Sequence, residues 1–158
     1  MSESGLPSFR LLTGRDDAAR LAELLSTQRR DYMKEFVPFA FETDTIAALL
    51  ESAGPDRYWG IETEGGLVGL VMLRGLREYP RPSFGLTIAE PYAGRGIGTA
   101  SLDFALQWCR NHGIGEVMLK VADGNVTARR MYEKRGFCFE AVCKDTGHLI
   151  HSLKLPVD

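Results

Sequence analysis

The sequence predicts an α/β chain of the α+β kind. A mixed, mostly antiparallel sheet of about six to seven strands, one pair of them parallel, is covered by about four helices. Three observations carry this. The runs RYWGIET (57–63) and LVGLVMLR (67–74) are separated only by Glu64, Gly65 and Gly66, a spacing that favours an antiparallel hairpin. Residues 83–121 read as strand, helix, strand, and the helix supplies the long crossover that a parallel pair requires. FCFEAVC (137–143) and HLIHSLKL (148–155) then add two strand-like runs.

In chain order, SFRLLT (8–13) reads as a short strand. Asp16 and Asp17 open a helical pattern in which Leu21, Leu25, Gln28 and Tyr32 share one side. Arg20, Glu23, Thr27, Arg30 and Lys34 take the other, until Pro38 interrupts it. Thr43 or Asp44 caps a shorter helix with Ile46, Leu49, Leu50 and Ala53 on its apolar side, ended by AGP at 53–55. The second run of the hairpin is apolar throughout, so burial of both its faces is expected. EYPRP (78–82) leads to SFGLTIA (83–89), where Phe84, Leu86 and Ile88 alternate with small or polar residues, as in a half-buried strand. From about 96 to 111, a polar stripe of Asp103, Gln107 and Arg110 set apart from Ile97, Leu102, Ala105, Leu106 and Cys109 predicts a helix closed by His112 and Gly113. EVMLKVA (116–122) is the next strand, and NVTARRMYEKRG (125–136) is a helix with Gly136 just past its last turn.

With 158 residues, 44% of them hydrophobic and 25% charged, the chain suits one globular domain, expected to span residues 1–158. A net charge of −2 with no long basic run argues against a nucleic-acid surface or a polybasic membrane patch. A small molecule or a local protein partner is the expectation. Cys109, Cys138 and Cys143 are an odd count without a C-x-x-C pair, which fits buried thiols in a reducing compartment better than disulfides or a zinc site. His148 and His151 lie three apart in a strand-like run and so point to opposite faces; no metal is expected. MSESGLPSFRLL lacks a basic start followed by a long apolar stretch, and LVGLVML (67–73) falls far short of the ~20 residues that span a bilayer. A soluble cytoplasmic protein is expected.

The stretch EPYAGRGIGTAS (90–101) places Gly94, Gly96 and Gly98 between a strand and a helix. Helix N-termini carry unpaired N–H groups and the positive end of the macrodipole, and glycines let a phosphate come close. The same glycines also serve a tight turn and nothing more. A nucleoside-triphosphate loop is excluded, because no Lys-Ser or Lys-Thr follows. A dinucleotide loop stays open: GRGIGTA is a near miss for G-x-G-x-x-G, and Asp123 follows the next strand. Against it, several elements precede the loop where such loops usually follow the first strand.

YAGRGIGTASLDFAL (92–106) followed by NVTARRMYEKRGF (125–137) resembles the acetyl-coenzyme A signature of the GNAT superfamily of N-acetyltransferases, and the order of elements is similar to that family's fold. The resemblance implies a GNAT-like fold with its parallel pair around the cofactor site, acetyl-CoA as co-substrate, and acetyl transfer to a primary amine of a small molecule or a peptide N-terminus. An amino sugar or sugar nucleotide is one such acceptor. It further implies that the backbone amides of Ala93, Gly94, Arg95, Gly96, Ile97, Gly98 and Thr99 cradle the pyrophosphate, with the Arg95 side chain adding a charged contact. Ala93 departs from the pattern, which has Gln or Arg there when Gly96 and Gly98 are aligned; a shifted register, Arg95 with Gly98 and Ala100, restores the arginine.

By the same resemblance the backbone of Leu86, Thr87 and Ile88 binds the pantetheine arm, Asn125 makes a polar contact to it, and Tyr132 protonates the leaving sulfur. Read alone, Asn125 is a helix N-cap and Tyr132 a half-buried aromatic. A phenol with a pKa of about 10 does stay protonated at neutral pH and can donate to a thiolate. For the base that deprotonates the amine, Glu35, Glu78, Glu90 or a water remain open. Tyr32, Phe36, Phe39 and Phe41 either line an acceptor pocket or pack a helix pair, and Arg77, Tyr79 and Arg81 suit an anionic acceptor or a plain surface loop. A monomer or homodimer is expected. An NAD(P)-dependent oxidoreductase and a non-catalytic CoA-binding sensor are the alternatives.

Overall fold

The computed structural model describes residues 6–36, 38–77 and 81–156. In order the elements are β1 (Ser8–Leu11), α1 (Gly14–Ser26), α2 (Arg30–Met33), α3 (Thr43–Glu51), β2 (Arg57–Thr63), β3 (Gly66–Arg74) and β4 (Ser83–Ile88). A 3-10 turn at Glu90–Tyr92 follows, then α4 (Ile97–Asn111), β5 (Glu116–Val121), α5 (Val126–Lys134), β6 (Cys138–Val142) and β7 (Leu149–Lys154). The seven strands form one sheet in the order β1-β2-β3-β4-β5-β7-β6, and every neighbouring pair is antiparallel except β4 with β5. The sequence expectation of a mixed sheet with one parallel pair holds, with one short helix more than expected.

Two cores hold the layers together. On one face α4 and Tyr132 of α5 pack Leu102, Ala105, Leu106 and Cys109 against Trp59, Val71, Leu73, Phe84 and Leu119. On the other, α1 and α3 pack Leu21, Leu25 and Ile46 against Tyr58, Leu70 and Met72. β3 therefore sends Leu70 and Met72 one way and Val71 and Leu73 the other, and this is why its run is apolar throughout. Each fully buried leucine contributes roughly 1.5–3 kcal/mol of burial.

The long helix expected from Asp16 to Pro38 is broken at Thr27–Arg29. Thr27 turns its hydroxyl back to the Glu23 carbonyl at 2.7 Å, and Arg29 is extended (φ −62°, ψ 141°) before α2 begins. The break is held from outside the helix. Gln28 donates its amide N–H to Leu24 O and accepts the backbone N–H of Glu90 at 3.0 Å, while Arg29 forms two bonds of 2.8 and 2.7 Å to the Glu90 carboxylate. Periodicity along one segment carries no trace of a tie to the end of β4.

The start of α1 is fixed by Asp17, a carboxylate only 4% exposed. It accepts the Thr13 N–H at 2.8 Å, two N–H bonds from Arg10 at 3.0 Å each, and one from Arg20. Arg10 also reaches Glu62, so β1, α1 and β2 are stitched at one point. The Arg10 guanidinium holds the Asp17 carboxyl well below the usual carboxylate range, against the opposing effect of burial. Its contribution to stability is present above the unfolded-state pKa of about 3.9 and is lost as pH falls through the depressed folded-state value. Asp17→Asn is expected to lower unfolding free energy by about 1–3 kcal/mol at pH 7. The gap to wild type should narrow as pH drops below about 4, as urea denaturation across pH 2–7 will read.

Candidate active site

β4 and β5 pair through only two register positions, Ser83 with Met118 and Phe84 with Leu119, and then part. Backbone groups along a strand alternate sides. Met118 N–H donates to Pro82 O at 3.0 Å on the β5 side, and Ala89 N–H donates to Val68 O at 2.7 Å on the β3 side. Leu86 and Ile88 thus turn their backbone groups into the gap, while the backbone of Thr87 faces Leu70 of β3. One of the gap-facing carbonyls is taken: Tyr32 Oη of α2 donates to Ile88 O at 2.6 Å. That leaves the Leu86 N–H and C=O and the Ile88 N–H open to a ligand that pairs like an added strand. The Thr87 hydroxyl lies 3.9 Å from Met33 Sδ on the α1–α3 face.

Beyond the gap lies the glycine loop. Ala93 N–H is already committed to Glu90 O at 3.1 Å. Gly94 (φ +75°) and Gly96 (φ +84°) occupy the left-handed region that side chains disfavour, and they swing the chain into α4. The first bond of α4 runs from Ala100 N–H to Gly96 O, so the amides of Ile97, Gly98 and Thr99 have no helical acceptor, and no side chain caps them. With no acidic residue in its first turn, this end of α4 favours an anion. Ala93, Gly94, Gly96, Gly98 and Thr99 all line the cleft. Ile97 instead buries its side chain in the core, and Arg95 holds its guanidinium 5.3 Å over the Tyr92 ring rather than along the cleft wall.

The opposite wall is α5. Asn125 caps it, its side-chain oxygen accepting the Ala128 N–H at 3.2 Å, and also lines the cleft. Two turns on, Tyr132 is 8% exposed, edge-on to Phe84 and Phe137 with ring centroids 6.2 and 5.9 Å away. Burial pushes its phenol up to about 12, so at neutral pH it is a proton donor. Its hydroxyl has no hydrogen-bond partner among the described residues, and the side chain borders the cleft. A bidentate pair between Arg135 and Asp103, at 2.7 and 3.0 Å, fixes α5 to α4.

The cleft, about 750 Å³, passes between β4 and β5 to the α1–α2 side, where Tyr32, Glu35, Phe36, Lys120 and His148 line it. Of the expected acceptor-side aromatics, Phe39 and Phe41 pack into the second core, Phe41 with its centroid 6.3 Å from that of Phe36. Arg81 is spent on Glu116 and Glu140 at the far end of β4, and Tyr79 lies outside the described residues. Among the candidate bases, Glu90 is locked to Arg29, which holds its pKa below the usual range, and Glu78 lies outside the described residues. Glu35 meets His148 Nε2 at 2.7 Å. No spacing rule pairs Glu35 with His148, because 113 residues separate them.

A parted parallel pair with free backbone groups thus stands next to an uncapped helix end on one cleft. The comparisons agree in class. A family model described as Acetyltransferase (GNAT) family matches residues 20–137, and the chain belongs to that family. It is 28% identical over 101 residues to N-acetyltransferase family 8 member 2 of Rattus norvegicus, a match covering 61% of this chain and 42% of that protein. It is 31% identical over 83 residues to the Bacillus subtilis (strain 168) protein named Uncharacterized N-acetyltransferase YycN, covering 50% of this chain and 53% of that one. The chain thus spans about half the length of these curated relatives. The crystal structure of spermidine N-acetyltransferase from Vibrio cholerae in complex with CoA and spermine shares the fold, with a TM-score of 0.76 at 21% identity over 94% of this chain and 95% of that one.

The two kinds of glycine in the loop make a test. Gly96→Ala is expected to lose about 1–2 kcal/mol from the positive φ alone, because nothing lies within 4 Å of the added Cβ. Gly98 has an ordinary helical backbone, and a Cβ there meets Ile88 Cδ1 and Met131 Sδ at an unstrained 3.5 Å. Gly98→Ala should therefore be neutral or stabilising by up to about 1 kcal/mol, as denaturant midpoints will show.

Proposed function

We propose that the protein is an acetyl-CoA-dependent N-acetyltransferase that acts on a primary amine by direct attack, with Tyr132 as general acid. The observation that carries this reading is the parting of β4 and β5 beside the uncapped end of α4, with a protonated phenol on the same cleft. The chain's own groups fit the co-substrate. Leu86 and Ile88 offer backbone donors and an acceptor to the amides of the arm, and Gly98 and Thr99 offer N–H groups to the diphosphate. Asn125 borders the same path.

In the reaction a neutral amine forms a C–N bond to the acyl carbon, the C–S bond breaks, and the sulfur leaves with the electron pair. Tyr132 supplies the proton that turns this thiolate into a thiol. A pKa held near 12 by burial keeps the phenol protonated until the thiolate appears, and the edges of Phe84 and Phe137 hold its ring in place. Charge that develops on the carbonyl oxygen falls within reach of a donor of the Ile88 N–H kind, which faces the gap. The acceptor enters from the α1–α2 side, past Tyr32 and Phe36, and is the primary amine of a small molecule or a peptide. The spermidine enzyme with this fold acts on one such small molecule.

Calorimetric titration should give heat with acetyl-CoA and none with NAD(H); the reverse would favour a dinucleotide enzyme. Thiol release across a panel of polyamines, amino sugars and short peptides then separates an enzyme from a sensor that only binds. Tyr132→Phe is expected to lower kcat by about 100-fold while leaving acetyl-CoA affinity within threefold of wild type. Unchanged turnover would remove the phenol from the mechanism.

A further inference from the structure

Glu35 follows α2 and His148 precedes β7, and they meet across the mouth of the cleft on the face of the sheet opposite Tyr132. The imidazole is fixed at both ends. Its backbone is held in a tight turn, with Cys143 N–H donating to His148 O at 2.8 Å and His148 N–H donating to Thr146 Oγ1 at 3.1 Å. Its ring is held by Glu35 Oε1, 2.7 Å from Nε2. A carboxylate only accepts, so Nε2 carries the proton, and in the neutral ring the lone pair stands on Nδ1. Nδ1 has no partner among the described residues, and the side chain is 22% exposed on the cleft. The other titratable groups around the cleft are Tyr32, Lys120 and Tyr132.

Resting on the transferase reading above, we propose that His148 is the catalytic base for the acceptor amine and that Glu35 is its positioning residue. As the nitrogen forms its bond to the acyl carbon, one N–H proton passes to His148 Nδ1. The C–S bond breaks, the sulfur departs with its electron pair and takes the Tyr132 proton. The imidazolium returns its proton through solvent, and the phenol is restored by the same route, so that amine and thioester give amide and thiol with no net proton change. Base and acid stand on opposite faces of the sheet, each beside the group it serves: the nucleophile arrives on one side and the leaving sulfur lies on the other.

The test combines kinetics with a measurement that needs no turnover. In wild type without ligand, nitrogen-15 NMR of the His148 ring at pH 8 should show the Nε2-protonated tautomer, and Glu35→Ala should abolish that preference. His148→Ala is expected to lose about 100-fold in kcat with acetyl-CoA binding intact by calorimetry, to lose the acid-side fall of the wild-type kcat/KM profile, and to regain part of its rate with added imidazole. Glu35→Ala should lose less, about tenfold, because the ring remains. His148→Asn, closer in size, guards against a folding defect in the alanine variant. A wild-type ring protonated on Nδ1, His148 variants turning over within twofold of wild type, or a loss in Glu35→Ala larger than that in His148→Ala each overturns the assignment. Absence of thiol release from wild type with every amine would instead remove the transferase reading, and the proton transfer with it.

Discussion

The organisation of the cleft depends on one departure from regular sheet geometry: β4 and β5 share two register positions and then separate. A sheet that stayed closed would satisfy the Leu86 and Ile88 backbone groups internally and leave nothing for a ligand. Opening it exposes polar backbone in the middle of the molecule, a cost the surrounding residues must limit. Tyr32 takes the Ile88 carbonyl, and the apolar side chains of Leu86 and Ile88 pack beneath Gly98. Gly94 and Gly96 matter here for their backbone angles, whereas a Cβ at Gly98 would meet only ordinary contacts.

The same opening separates two chemical environments. On the α5 side the walls carry apolar side chains such as Leu86, Val121 and Met131, and burial pushes the Tyr132 phenol above its ordinary range. On the α1–α2 side the walls carry a carboxylate, an imidazole and an ammonium group. The two environments lie on opposite faces of the sheet and are joined by the one cleft that passes between β4 and β5. The edge contacts of Tyr132 with Phe84 and Phe137 link the donor to the same strand that forms the gap.

Much of this was legible in the sequence because it is local. The hairpin followed from two apolar runs and a glycine turn, the parallel pair from a strand, helix, strand unit, and the burial of β3 on both faces from its unbroken apolar run. The glycine loop and the helix of Asn125 and Tyr132 announced themselves by spacing, and both border the cleft. What escaped was set by partners far away in the chain. The helix pattern from Asp16 onward gave no sign of its break, because Gln28 and Arg29 answer to Glu90. Phe39 and Phe41, for which the sequence left a pocket and helix packing equally open, pack against the second core. The Glu35 and His148 pair could not be found by any spacing rule, since its members belong to opposite ends of the chain.

The break in the first long helix also says something about how the site comes into being. Its three attachments to the end of β4, through Gln28, Arg29 and Tyr32, close loops of 62, 61 and 56 residues. Contacts so distant in sequence carry an entropy of closure that no nearby turn can offset, and they become favourable only when the intervening strands have already brought the ends together. The wall beside the gap therefore depends on the β2–β3–β4 meander that brings its two ends together. A change anywhere in that meander is thus felt at the wall of the cleft, through contacts that lie outside the changed strand.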